Sequence, residues 1–376
     1  MLTPLRVLAL ASLGSSGLSA QIVAPGLAAD LVCCYDFEHP LPGNANRESD
    51  LGSSNTPLNL INGGAAMRGA DGAFPASTNS LQTKQVTPAT AGNDDWKAGL
   101  YTAGGAPSLA AFSGVRGVTL MGWIKPTGTH PALDSTTPAN PSDVYNAVGL
   151  FGLLTGNSEG HAVRALVEII TVNSTLKLVA LGRRIDGGNS LTLAATEPWQ
   201  TILPTNTWTH ITATFDFDAG TMALYRNGTP LAATYTSAVD EWGVIGGAEP
   251  DLTSATAPAG IKIGGSFPQN TQERNAFTGR LDDLMFFKRS LTAGEIQQQY
   301  AFLLAAVAPM PALSISHAPG DFTLSWSAPT SGFILEASGD LSANGWTPFG
   351  THPLTDNDSL TAPLTGGSRF FRLRKP

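Results

Sequence analysis

Residues 207–228 read TWTHITATFDFDAGTMALYRNG, and this stretch decides the fold. In an extended chain, Trp208, His210, Thr212 and Thr214 fall on one side, and Ile211, Ala213 and Phe215 on the other. Asp216 to Gly220 supplies a reversal rich in turn formers. Met222, Leu224 and Arg226 then alternate with Ala223 and Tyr225. Asn227-Gly228 follows, the strongest short signal for a tight hairpin. The stretch predicts two antiparallel strands with a second reversal at its end.

Outward from it, the same pattern recurs. Short apolar runs bounded by Gly, Pro, Asn and Thr predict strands at 31–37, 58–61, 98–102, 118–125, 148–154, 162–171, 175–183, 190–194, 261–263 and 277–287. Further strands are predicted at 322–326, 333–336 and 370–374. Composition agrees: 41 Gly and 26 Pro among 376 residues suit a turn-rich chain. Only 13% of residues are charged, against about 25% in an ordinary protein. A hydrophobic content of 42% is enough for a core and excludes a disordered acidic chain. The net charge of −8 argues against a nucleic-acid partner, which calls for clustered Lys and Arg. One helix is predicted at 293–304, opened by the capping box Thr292-x-x-Glu295, with Ile296, Tyr300, Leu303 and Leu304 at helical spacing. The Ala- and Pro-rich residues 305–312 read as a stiff linker, followed by a small β-domain at 313–376.

Residues 277–296, FTGRLDDLMFFKRSLTAGEI, complete the picture. Together with Trp208-x-His210, the Asp-bearing turn and Leu224-Tyr-Arg-Asn-Gly228, they resemble the laminin-G-like jelly roll of the concanavalin A-like lectin/glucanase superfamily. Trp123 in TLMGWIK (119–125) and the opening Cys34-Tyr-Asp-Phe-Glu38 are similar to that family as well. The resemblance spans roughly residues 31–304 and implies an all-β concanavalin A-like jelly-roll sandwich at 30–304, followed by the small β-sandwich. The closing segments Gly332–Ser338, Trp346 and Phe370–Leu373 resemble small modules appended to exported bacterial proteins, which imply no activity.

The resemblance also implies a structural calcium. In that family the ligands come from the strand holding Asp282-Asp283 and from the loop after the first strand. Here that loop offers Asn44, Asn46, Glu48, Ser49, Asp50 and Ser53, hard oxygen donors suited to Ca²⁺. Asp282 and Asp50 are the expected metal ligands. Strict alternation groups Asp282 with Leu284 and Phe286, and Asp283 with Leu281, Met285 and Phe287. The alternative is an Asp282 that accepts only from backbone amides in a tight turn.

The same superfamily includes hydrolases whose strands carry Glu-x-Asp-x-Glu or Glu-x-Asp-x-x-Glu. Neither occurs; Glu249-Pro-Asp251 has no third carboxylate, and Glu168 stands alone on its strand. The six histidines are scattered, and neither a Gly-x-Ser-x-Gly elbow nor a phosphate loop is present. Trp123 and Trp208 sit in apolar strands and read as core. Trp96, Trp199 and Trp242 sit in polar loop settings, where an indole offers a flat apolar face to a sugar, so they are the expected ligand-binding residues.

Residues 1–20 read as a signal peptide: Arg6, then the apolar VLALASL (7–13), then small residues before Gln21. The expected location is outside the cytoplasm, secreted, periplasmic or at the cell surface, with no later membrane span. The two cysteines, Cys33 and Cys34, are neighbours whose side chains point to opposite faces, so free thiols are expected. The sequence therefore leads to an exported, non-catalytic recognition or adhesion protein with glycans or cell-surface proteins as expected partners. The alternatives are a glycan-active hydrolase or lyase with an unrecognised carboxylate pair, and a structural cell-surface component.

Overall fold

The computed structural model describes residues 22–86, 95–102, 105–127, 148–154, 163–183, 190–217, 219–236, 258–265, 276–305, 313–326, 333–340, 345–350, 354, 358–363 and 369–374. These divide into two compact units, residues 22–306 and 307–376. The predicted signal peptide, all of the predicted linker but Ala305, and Trp242 lie outside the described residues.

The larger unit is two antiparallel sheets. The first runs in the order Thr229–Pro230, Thr221–Arg226, Thr209–Asp216, Gly117–Pro126, Gly279–Phe287, Ser80–Thr83 and Arg68–Gly69, with Leu31–Tyr35 also paired to Gly279–Phe287. The second runs Ala233–Tyr235, Ser190–Ala195, Thr175–Arg183, Val163–Val172, Val148–Leu154, Gly260–Ile263, Lys97–Tyr101, Leu58–Ile61, Asn44–Glu48 and Pro40–Leu41. Both sheets join hairpin neighbours to strands far apart in sequence, such as Gly117–Pro126 between Thr209–Asp216 and Gly279–Phe287, the long crossovers that a jelly roll requires. The central strand Gly117–Pro126 shows why the chain folds so. Leu120 and Ile124 enter the main core, while Met121 and Trp123 enter a second apolar cluster. Period-two alternation thus makes two apolar faces on the first sheet.

The helix Ala293–Ala305 and the segment Pro25–Asp30 contribute to that second cluster, through Ile296 and Leu303 from the helix and Leu27 from the segment. Gln299 ties the two together, accepting from the Ala24 N–H at 2.8 Å and donating to the Ile22 carbonyl at 2.8 Å. The capping box forms: the Glu295 carboxylate accepts from the Thr292 N–H at 2.8 Å, and the Glu295 N–H donates to the Thr292 hydroxyl at 3.3 Å. Leu304 is exposed, not buried as its spacing predicts. Eight residues beyond Ile296, it has rotated off the apolar stripe that Leu303 still occupies.

The hairpin at Asn227-Gly228 forms with φ of +51° and +77°, the primed turn that those residues favour. The Asn227 side-chain oxygen accepts from the His210 N–H at 3.0 Å, which locks the turn onto the neighbouring strand Thr209–Asp216. Cys33 and Cys34 are buried free thiols, one in each apolar cluster.

The smaller unit has two three-stranded sheets. One is Leu313–Ala318, Asp321–Trp326 and Ser359–Pro363; the other is Thr347–Pro348, Ile334–Ser338 and Phe370–Arg374. Its core is Phe322, Leu324, Trp326 and Leu335.

Candidate functional site

The strand Gly279–Phe287 departs from strict alternation at the acidic pair. Asp282 is opposite Trp123 and Met285 is opposite Met121, so Asp283 and Leu284 face the single residue Gly122. This is a β-bulge, and Asp283 takes the left-handed φ of +43° within it. The bulge shifts the phase. Leu281, Leu284 and Phe286 all enter the main core, while Met285 and Phe287 enter the second cluster. The grouping of Asp282 with Leu284 and Phe286 is therefore corrected, and so is that of Leu281 with Met285.

Asp282 instead meets the loop of residues 69–79. Its Oδ2 accepts from the Ala73 N–H at 3.0 Å and the Ser77 hydroxyl at 2.6 Å, and its Oδ1 from the Asp283 N–H at 2.9 Å. Asp50 is engaged elsewhere. Its Oδ1 accepts from the Cys34 and Gly52 N–H groups at 2.8 and 2.7 Å, and its Oδ2 from the Ser54 hydroxyl and Thr56 N–H at 2.5 and 2.9 Å. Both carboxylates are thus surrounded by donors, whose hydrogens take the directions a cation would need. Asp50 and Asp282 do not fit a shared calcium seat. Among the described residues no group of three His, Cys, Asp or Glu side chains is arranged to hold a metal. Asp283 differs: both its carboxylate oxygens are buried without a hydrogen-bond partner. Burial, then the neighbouring Asp282 charge, raises its carboxyl above the usual range.

Trp96 and Trp199, the two expected tryptophans among the described residues, do not form a platform. Trp199 is buried in the main core, with 1% of its surface exposed, and presents no face to a ligand. The helical turn Trp199–Ile202 swings it inward, which the polar flanks Glu197-Pro198 and Gln200 conceal. Trp96 is half-buried, lies against Gly63, and carries the Lys84 ammonium 3.7 Å from its ring centre. A cation already occupies the surface a sugar would use.

Trp208, read as core, packs against the second apolar cluster and also joins a polar group. It is half-buried just before the strand Thr209–Asp216, and its indole N–H donates to Asp71 Oδ1 at 3.3 Å. Lys125 Nζ contacts both Asp71 oxygens at 3.2 and 2.9 Å and lies 5.7 Å from the Trp208 ring centre. Arg280 Nε is 3.2 Å from Asp71 Oδ2, and its Nη1 reaches the Ser80 hydroxyl at 3.4 Å. Lys125 and Arg280 are directly paired across adjacent strands. The Arg280 guanidinium rests on Gly69, where a side chain would collide with it. Burial would raise the Asp71 carboxyl, but the Lys125 and Trp208 hydrogen bonds and the two nearby cations hold it below its usual range.

The loop that carries Asp71 is fixed at three points by carboxylates. Asp71 binds the two cations, Asp282 takes Ala73 and Ser77, and Glu38 accepts from the backbone N–H groups of Thr78 and Asn79 at 2.6 Å each. Phe74 in the same loop stacks on Trp123 with ring centres 6.2 Å apart. The arrangement can offer a ligand an apolar ring edge, a carboxylate acceptor and two cationic donors. The sequence signal was the two-residue step from Trp123 to Lys125, which puts both on the outer face of the first sheet. Without the sheet order, nothing linked Lys125 to Asp71, Trp208 or Arg280.

Residues 101–297 match the family described as the concanavalin A-like lectin/glucanases superfamily. The chain belongs to that superfamily. No curated protein sequence matches it. Solved structures similar to it include the SAP-like pentraxin from Limulus polyphemus, at 16% identity over 49% of this chain and 69% of that one, with a TM-score of 0.30. The botulinum neurotoxin serotype D binding domain aligns at 11% identity over 86% and 70%, with a TM-score of 0.44. A Trypanosoma rangeli sialidase aligns at 14% over 76% and 36%, with a TM-score of 0.42. At TM-scores below 0.5 these likenesses carry no argument about ligand or activity. No helix among the described residues is long and apolar enough to cross a membrane.

Proposed function

We propose that this chain is an exported, non-catalytic recognition or adhesion module that binds glycans through the Trp208 group. Export rests on the leader-like residues 1–20. The observation that carries the glycan reading is the half-buried Trp208 indole held by Asp71 beside Lys125 and Arg280. A sugar ring has an apolar face that stacks on an aromatic and hydroxyls that need donors and acceptors at its edge, and this group supplies both. The non-catalytic reading is supported by Asp36, Glu38 and Asp50 being committed to neighbouring donors of the fold.

The test is a glycan array with the mature protein, followed by titration of the best ligand against Trp208→Ala. The variant is expected to bind about tenfold more weakly, the equivalent of about 1.4 kcal/mol. Absence of binding to any glycan, or full affinity in the variant, overturns the reading. Release of reducing ends from a bound polysaccharide would overturn its non-catalytic part.

A further inference from the structure

The geometry points to an acidic saccharide, a glycan bearing hexuronate carboxylates, as the ligand of the Trp208 group. This inference rests on the glycan reading above and adds the charge of the ligand. Lys125 and Arg280 are directly opposite one another on neighbouring antiparallel strands. Like charges in that position repel, and a sheet gains by placing an anion between them. Among the described residues Asp71 is the one carboxylate bonded to both, so there the two cations share a single negative charge. All three side chains are partly exposed, at 19%, 20% and 30% for Lys125, Arg280 and Asp71.

The guanidinium also has donors to spare. Its Nε faces Asp71 and its Nη1 reaches Ser80, while Nη2 has no hydrogen-bond partner among the described residues. A planar fork with an open N–H suits a planar carboxylate better than a tetrahedral sulfate. The Trp208 indole N–H and the Arg280 guanidinium meet the same Asp71 carboxylate, and Lys125 Nζ lies 5.7 Å from the Trp208 ring centre, so a sugar stacked on that ring would bring a ring carboxylate toward the two cations.

Asp282 then acquires a role as a positioning residue. By holding Ala73 and Ser77 it fixes the loop that presents Asp71. The strand aspartate is filled by loop donors, so it builds this site rather than a calcium seat.

The experiment compares polygalacturonate, alginate, hyaluronate and chondroitin with their carboxyl-reduced counterparts, using the mature protein and titration calorimetry. At least one acidic polymer is expected to bind tenfold or more tightly than its reduced form. That preference should fall as salt rises from 50 to 500 mM, because partly exposed charges are screened beyond about 8 Å at physiological salt. Arg280→Met with Lys125→Met should abolish the preference, with the melting curve confirming the fold. Asp71→Asn gives a test of opposite sign. It keeps an oxygen for the Trp208 N–H and removes the competing charge, so affinity for the acidic polymer should rise. A site for neutral sugars would lose an acceptor and weaken.

Equal binding of acidic and reduced polymers overturns the acidic inference and leaves the glycan reading standing. So does a preference that survives the double variant, or a sulfated glucan bound more tightly than every uronate. Failure of all these polymers and of the whole array overturns both.

Discussion

His210 is wholly buried, with Trp123 and Tyr300 ring centres 5.2 and 5.6 Å away, and neither of its ring nitrogens has a hydrogen-bond partner. Burial holds its pKa at about 3, far below the ordinary value of 6.5. The unfolded chain therefore binds a proton between pH 6.5 and 3 that the native state refuses. Stability follows: the contribution is intact above pH 6.5 and is lost as pH falls from 6.5 toward 3. At pH 4.5 this loss amounts to about 2–3 kcal/mol, at about 1.36 kcal/mol per unit of pKa difference. His210→Phe keeps an aromatic ring and removes the titration. Urea midpoints at pH 7 and pH 4.5 should show the variant losing less stability than the wild type on acidification. Parallel losses in both would mean that His210 is protonated in the folded state.

At the scale of elements, Asp282 is one of the three carboxylates that fix the loop of residues 69–79. Asp282→Ala would leave the half-buried Ala73 N–H and Ser77 hydroxyl without their acceptor, at a cost of about 1 kcal/mol for each hydrogen bond lost. The variant should melt lower and show faster amide exchange confined to 69–79 and its contacts. Because the acceptor is a protein group bonded to protein donors, EDTA is expected to leave the wild-type melting temperature unchanged. A fall in EDTA that calcium restores would instead place a cation on the unpartnered Asp283.

The same element shows what a single sequence discloses. The hairpin at 227–228, the capping box at 292–295 and the alternation of 118–125 follow from local rules, because turn chemistry and burial on one face act within a few residues. The bulge at Asp283 does not, since two residues opposing one is a fact about the partner strand. Trp199 was misread for a related reason, and the polar partner of Trp208 was missed for the same one. Polar flanks describe the chain around a tryptophan, whereas its exposure depends on elements far away in sequence. The Asp71, Lys125, Trp208 and Arg280 group joins residues up to 209 positions apart and had no local signature.

For the whole molecule, each unit has a core of its own, and no strand of the four sheets is shared between them. The larger unit buries aromatic side chains such as Tyr35, Phe37, Phe112, Phe151 and Phe215 completely. Among the described residues the smaller has a core cluster of four buried apolar side chains, ringed by half-buried Phe349, Phe371 and Leu373. Units of its size bury a smaller fraction of their surface and are correspondingly less stable. Calorimetry should therefore show two transitions, with the smaller unit melting first. Glu336 identifies that transition. It lies on the central strand Ile334–Ser338, is 3% exposed, and accepts from Arg372 Nε and Arg374 Nε at 2.8 Å each. Burial opposes its charge, yet the two arginines hold its carboxyl below the usual range. Glu336→Ala would leave two adjacent guanidinium groups without their shared anion. The lower transition is expected to move down by several degrees while the upper one stays fixed. Deletion of residues 307–376 should remove the lower transition and leave the upper one within a degree. A single transition that moves as a whole in both variants would show that the two units unfold as one.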